Sequence, residues 1–142
     1  MQTITRQDGL LVVKFKQGEE FFSEFTDFCK KEELSGGFFS GIGAALEVEL
    51  GHYDLKELEY YFNTYDQTPI EVTNIKGNIS YDSNDDYTIH AHGTIADENQ
   101  EVKGGHVNKL IVGPTLEVAV FLSKDKITRA YDSETDLELL TS

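Results

Sequence analysis

Cysteine is nearly missing from this chain: Cys29 stands alone among 142 residues, which excludes an internal disulfide. Cations are scarce as well. Twelve Lys and Arg face twenty-six Asp and Glu, a formal net charge of −14, and the arginines number only two, Arg6 and Arg129. The twelve are scattered, with Lys30-Lys31 the densest pair, whereas nucleic-acid binders gain affinity from clustered cations. An acidic surplus of this size repels a phosphate backbone over a Debye length, so duplex DNA is disfavoured as a direct partner. No apolar run approaches the roughly eighteen residues a membrane span requires. The N-terminal Met-Gln-Thr-Ile-Thr-Arg lacks the ordered basic, apolar and cleavage regions of a secretion signal. Those absences lead to the expectation of a cytoplasmic protein with no membrane partner. There is no internal repeat, low-complexity tract or linker, so residues 1–142 read as one domain, long enough to bury about two-thirds of the surface its unfolded chain exposes.

What is present is a strand-rich pattern with one helix. Leu10 to Phe15 reads as a strand; after Gly18, the residues Phe21, Phe22, Phe25, Phe28 and Cys29 recur at helical spacing. Glu19 and Glu20 in the first turn and Lys30 and Lys31 near the last complement the helix dipole, and Gly36-Gly37 mark a stretch where the helix has ended. A phenylalanine stripe at this period predicts a core face laid on a sheet, with Cys29 as a packed thiol. After the glycine-rich Phe38 to Ala44, further strands are predicted at the alternating Leu46, Val48 and Leu50, and at Leu58 to Asn63, Ile70 to Ser80, Tyr87 to Ala96, Val107 to Val112, Leu116 to Leu122 and Ile127 to Tyr131. Gly41 and Gly43 in Gly-Ile-Gly precede strand rather than helix, so they do not form a nucleotide loop. They predict a kink or a close backbone approach, including approach from another subunit. Val118, Val120 and Leu122 alternate with Glu117, Ala119 and Phe121, which predicts a strand covered on both faces. The acidic tail, 132–142, reads as a loose end or an edge strand docked on a neighbour.

Three of the four histidines fall close together: His90 and His92 in Ile-His-Ala-His-Gly, and His106 in Gly-Gly-His-Val. Side chains two apart on a strand share a face, so His90 and His92 point the same way. If Asp97 to Glu101 is a five-residue loop, Ala96 pairs with Val102, and His106 lies across from His92 on that face. Opposed side chains there have Cβ atoms about 4.5 to 5.5 Å apart, within reach of one ion. An even-length loop sends His106 to the other face unless Gly104-Gly105 form a bulge. Neutral imidazole suits zinc, and three ligands leave one tetrahedral position for water or substrate. The competing reading is three hydrogen-bonded imidazoles on a half-buried strand with no metal.

Several segments in order resemble one family: Gly18-Glu19, Ser40-Gly41-Ile42-Gly43-Ala44, Leu50-Gly51-His52-Tyr53-Asp54, Ile70-Glu71-Val72, Gly77-Asn78-Ile79-Ser80, His90-Ala91-His92 and Gly104-Gly105-His106. The chain is similar over about 9–131 to the plant and prokaryote conserved (PPC) domain, a family labelled as predicted DNA-binding with a PD1-like motif. The resemblance implies an α/β (α+β) subunit with a curved, mostly antiparallel sheet of seven to eight strands on one long helix, assembled as a homotrimer. It also implies a metal site, zinc, at His90, His92 and His106 near a cleft at the subunit boundary. Asn84-Asp85-Asp86-Tyr87 replaces the family's Gly-x-Pro turn, Gln100 replaces a hairpin glycine, and the AT-hook of plant members is absent. Three functions stand in competition. The first is a trimeric, metal-binding assembly, interaction or regulatory module, with a protein partner or small molecule at the subunit boundary. The second is a small zinc-dependent enzyme acting on a metabolite, with Glu101, Asp97 and His52 as acid–base candidates by residue type, and His52 and Glu101 as candidate cleft residues. The third is the DNA-binding label, which the charge opposes.

Overall fold

Alternation of apolar and polar side chains over Leu10–Lys16 produces strand β2, whose Leu11, Val13 and Phe15 are fully buried. Ahead of it the almost wholly polar Gln2–Gln7 forms β1, an edge strand exposed along its length and antiparallel to β2. With no buried face, β1 has no alternation to read. The computed structural model describes residues 1–67 and 70–141, so Ser142, the end of the acidic tail, lies outside the described residues.

Helix α1 spans Phe21–Lys31, three turns rather than the long helix expected. Glu20 is its N-cap, with the carboxylate accepting from the Ser23 N–H at 2.8 Å, so Glu20 precedes the first turn instead of lying in it. The helix closes early. Glu33 adopts φ 51°, its N–H donates to the Lys30 carbonyl, and the Leu34 N–H donates to the Cys29 carbonyl at 3.1 Å. This is a Schellman closure with glutamate where glycine is usual, and buried Leu34 supplies its apolar contact. Phe21, Phe25 and Cys29 are fully buried, and Phe15, Phe21, Phe25 and Phe39 pack ring to ring at 5.1 to 5.8 Å. Burial pushes the Cys29 thiol up to about 12, which suits a packed thiol and not a nucleophile.

The remaining strands are β3 (Gly37–Asp54), β4 (Glu59–Tyr65), β5 (Ile70–Tyr81), β6 (Tyr87–Ala96), β7 (Val102–Leu122), β8 (Thr128–Asp132) and β9 (Leu137–Thr141). The described residues thus hold nine strands instead of seven or eight, in one mostly antiparallel sheet with a single parallel contact between β5 and β8. Along it the order is β1-β2-β7-β3-β5-β8-β9, with β4 on β3. β6 pairs with both β5 and β7, so β3, β5, β6 and β7 form a closed circuit. Two predicted strands, Val107 to Val112 and Leu116 to Leu122, are one strand, β7. The break between them is a register shift against β3 near Pro114, since proline inside a sheet is confined to edges and bulges. A second irregularity makes Leu46 of β3 bulge outward and become exposed, although Val48 and Leu50 are buried as predicted.

Gly41 and Gly43 serve close approach within the chain itself: a Cβ at Gly43 would stand 2.2 Å from the Thr115 carbonyl oxygen of β7. At Gly41 it would stand 2.6 Å from the Glu117 carbonyl oxygen. The expectation that β7 is covered on both faces fails in the single chain. Val118 and Val120 are fully buried but Phe121 is 59 % exposed, because α1 packs one face of the sheet only. The acidic tail becomes β9, paired antiparallel to β8 in its own chain. No helix among the described residues is long and apolar enough to cross a membrane.

Candidate metal centre

The turn that sets the histidine register is built by one side chain. Asp97 Oδ1 accepts from the Asn99 and Glu101 N–H groups, and the Gln100 N–H donates to the Asp97 carbonyl at 2.9 Å. Gln100 takes φ 63° at the position where a glycine would sit without cost. The loop therefore has five residues, Ala96 pairs with Val102, and His92 pairs with His106. Pairing is continuous through Gly104 and Gly105 and contains no bulge. Gly105 is needed for a different reason: its Cβ would lie 2.5 Å from the Gly51 carbonyl oxygen, so a side chain there would push β3 away from β7. At Gly104 a Cβ would lie 3.0 Å from the Gly93 carbonyl oxygen.

The three imidazoles form a near-equilateral triangle, with ring centroids 5.2 Å apart for His90 and His92, 5.2 Å for His90 and His106, and 5.5 Å for His92 and His106. One nitrogen from each lies within 4.8 Å of the other two. A tetrahedral ion bound at about 2.0 to 2.1 Å requires nitrogens roughly 3.3 Å apart, so binding draws the three rings together. Burial pushes the His90 imidazole down to about 4, helped by the charge of Arg129 and by the other two histidines. His106 is lowered by burial and by His92. These two rings are therefore neutral at pH 7, the form that ligates metal. His106 Nδ1 is buried with no hydrogen-bond partner among the described residues. A buried imidazole nitrogen without a partner is costly unless something else fills its lone pair. The residues present fit a soft-to-borderline divalent cation.

Around the triangle, Tyr60 of β4 rests on His106 with ring centroids 4.8 Å apart, and packs in turn on Tyr53 at 4.8 Å and Phe62 at 5.4 Å. The β8–β9 hairpin stands beside them. Tyr53 donates to the Thr135 carbonyl at 2.6 Å, and Arg129 reaches from β8 to Asn78 and Ser80 of β5. Strand pairing places Asn78 directly across from His90.

The other candidates are elsewhere. His52 neighbours Gly51, which pairs with His106, so by alternation His52 projects from the opposite face, where it stacks on Tyr61 at 5.6 Å. Glu101 is exposed, pairs with Lys103 at 3.6 Å and lies five strand residues from His106, roughly 16 Å along the chain. Asp97 is occupied in the turn. Neither acid is a neighbour of the triangle. Sequence reading missed Tyr60, Asn78 and Arg129 as members of the site. The available signal was Arg129 itself, one of two arginines in an acidic chain, placed within an apolar strand.

Comparison with known proteins agrees with this fold. A protein of Bacteroides thetaiotaomicron, provisionally described as DNA-binding, superposes with a TM-score of 0.92 at 24% identity, covering 99% of this chain and 96% of the other. A metal-containing protein of Archaeoglobus fulgidus gives 0.84 at 24%, covering 94% and 93%. A plant- and prokaryote-conserved protein of Pyrococcus horikoshii gives 0.84 at 25%, covering 94% and 91%. No curated protein matches the sequence. The model of the Plants and Prokaryotes Conserved (PCC) domain matches residues 3–123, the span that holds α1, the closed circuit and all three clustered histidines, and to that family this chain belongs.

Proposed function

We propose that this protein is a trimeric metal-binding module in which His90, His92 and His106 hold a zinc ion, and that its role is assembly, interaction or regulation. The observation that carries the reading is the histidine triangle with its unpartnered His106 nitrogen. The Archaeoglobus protein of the same fold, described as metal-containing, supports the presence of a metal. Zinc, when bound, supplies a Lewis-acid centre with one coordination position beyond the three imidazoles.

Trimerisation is supported by the sheet face that α1 leaves open. Phe38, Ile42 and Phe121 are 53, 60 and 59 % exposed, and Phe38 pairs directly with Phe121 across β3 and β7. Apolar side chains grouped in this way mark an interaction surface. Direct DNA binding is opposed by the net charge of −14. The second reading, a small zinc-dependent enzyme, gains from Tyr60 and Arg129 beside the triangle, while Glu101, Asp97 and His52 stand apart from the triangle of their own chain.

Metal content by mass spectrometry tests the site: one ion per chain is expected in the purified protein, and His92→Ala is expected to lower metal affinity by more than about tenfold. Absence of metal after zinc loading overturns the reading. For the assembly, sedimentation should give three chains per particle in the parent and a lone chain in Phe121→Lys; a parent that sediments as one chain sinks the trimer.

A further inference from the structure

Arg129 is only 9 % exposed, and all three of its hydrogen-bond acceptors are uncharged. Its Nε donates to Ser80 Oγ at 2.8 Å, Nη2 to Asn78 Oδ1 at 2.8 Å, and Nη1 to the Glu138 carbonyl at 2.6 Å. Among the described residues no carboxylate is ion-paired with it, and the Glu138 carboxylate is turned to Ser83 instead. A buried cation without a counter-charge is costly. Here it persists in a chain with fourteen surplus acids, and the Glu138 carboxylate, near enough for its charge to act on the guanidinium, is bonded to Ser83 without pairing with it.

Its location gives the missing anion an address. Arg129 is bonded to Asn78, and Asn78 faces His90 across β5 and β6, with Cβ atoms of such a pair about 4.5 to 5.5 Å apart. Tyr60 covers His106, the third member of the triangle, with ring centroids 4.8 Å apart. Guanidinium, triangle and tyrosine are therefore neighbours in the fold. Each terminal nitrogen of Arg129 uses one N–H and keeps a second, so a fork of two donors is still available, the arrangement that matches a planar carboxylate. A divalent ion on three neutral imidazoles beside a guanidinium adds positive charge, while the Glu138 carboxylate that acts on Arg129 is itself engaged with Ser83.

We propose that the site takes a small-molecule carboxylate, held between the three-histidine metal and the free N–H groups of Arg129. This rests on the metal reading above and adds the chemical class of the ligand to it. Arg129 acts here by binding and orienting the anion, and its three existing bonds fix the guanidinium so that little side-chain freedom remains to be lost when the anion arrives. Tyr60 supplies an apolar wall with a phenol at its edge, which favours a small acid carrying a further oxygen, such as a 2-hydroxy acid.

The test uses the full chain loaded with cobalt(II), whose visible spectrum reports coordination, titrated with lactate, with lactamide and with inorganic phosphate. Lactate should shift the spectrum saturably; lactamide, which lacks the charge, should bind at least about tenfold more weakly, and phosphate more weakly than lactate. In Arg129→Lys the cobalt stoichiometry should stay the same while lactate affinity falls about ten- to a hundredfold, the range of a lost charge-assisted pair. Cobalt binding with equal affinity for lactate and lactamide overturns the proposal, as does phosphate binding more tightly, or unaltered lactate affinity in folded Arg129→Lys. If the lysine variant does not fold, the three-ligand comparison in the parent chain decides. Failure to bind cobalt at all removes both this inference and the metal reading, so the two failures are told apart by the first spectrum.

Discussion

The two faces of the sheet are made from neighbouring residues of the same strands, yet they obey different rules. Phe39 and Val120 point toward α1 and are buried, whereas Phe38 and Phe121, one residue along in each strand, stand more than half exposed. On the helix side every large side chain finds its partners within the chain. The other side carries the histidine triangle, the only strongly buried guanidinium among the described residues, and the open apolar patch. Stability is thus concentrated on one face and chemistry on the other, with strand alternation keeping them apart.

The sharpest way to break this division is Phe25→Ala. Phe25 is fully buried within the ring cluster, so the change should cost about 3 to 5 kcal/mol in denaturant unfolding, while metal stoichiometry of whatever remains folded stays the same. A loss below about 1 kcal/mol would deny the helix face its role. Next comes acid. His90 in the folded chain titrates near 4 against an ordinary value of 6.5, so between those limits the unfolded chain binds more protons, and the metal-free protein should lose stability as the pH falls through that window. Unfolding midpoints measured at pH 7, 5.5 and 4.5 check the sign; a flat profile that is unchanged in His90→Ala would show that the triangle is not linked to folding.

A smaller effect is expected at the helix terminus. Glu33→Gly replaces a side chain at φ 51° with the residue that adopts this conformation freely, and should stabilise the chain by about 1 kcal/mol, read as a rise in Tm. Smallest of all is His92→Ala in the metal-free chain. His92 is exposed, so its loss should move stability by no more than about 0.5 kcal/mol while removing the metal site. A large destabilisation there would erase the separation between the faces.

Much of the site could be read from the chain because its geometry is local. Two histidines on one strand and a third after a five-residue turn fix their face by parity alone, and Asp97 closes that turn with its own carboxylate. The strand Tyr87–Ala96 was legible to its ends for the same reason. Elsewhere local rules were outweighed. Alternation on β3 is interrupted by register shifts, so the parity that puts His52 behind the sheet could not be counted from the sequence. Glu33 ends the helix in a conformation more often given to glycine, so the reading ran on toward Gly36-Gly37. Tyr60 joins the site from β4 and Arg129 from the β8–β9 hairpin, contacts between distant segments that no spacing announces.

His92 lies between two neighbours, Lys76 on β5 and His106 on β7, so the strand that carries it is paired into the sheet along both edges. Sliding such a strand by one position would break pairing on two sides at once and turn His90 and His92 away from His106. The pocket is consequently a stiff template: cations of differing size must be met by torsion of the rings alone, and the amides beneath them should be among the slowest in the molecule to trade hydrogen for deuterium.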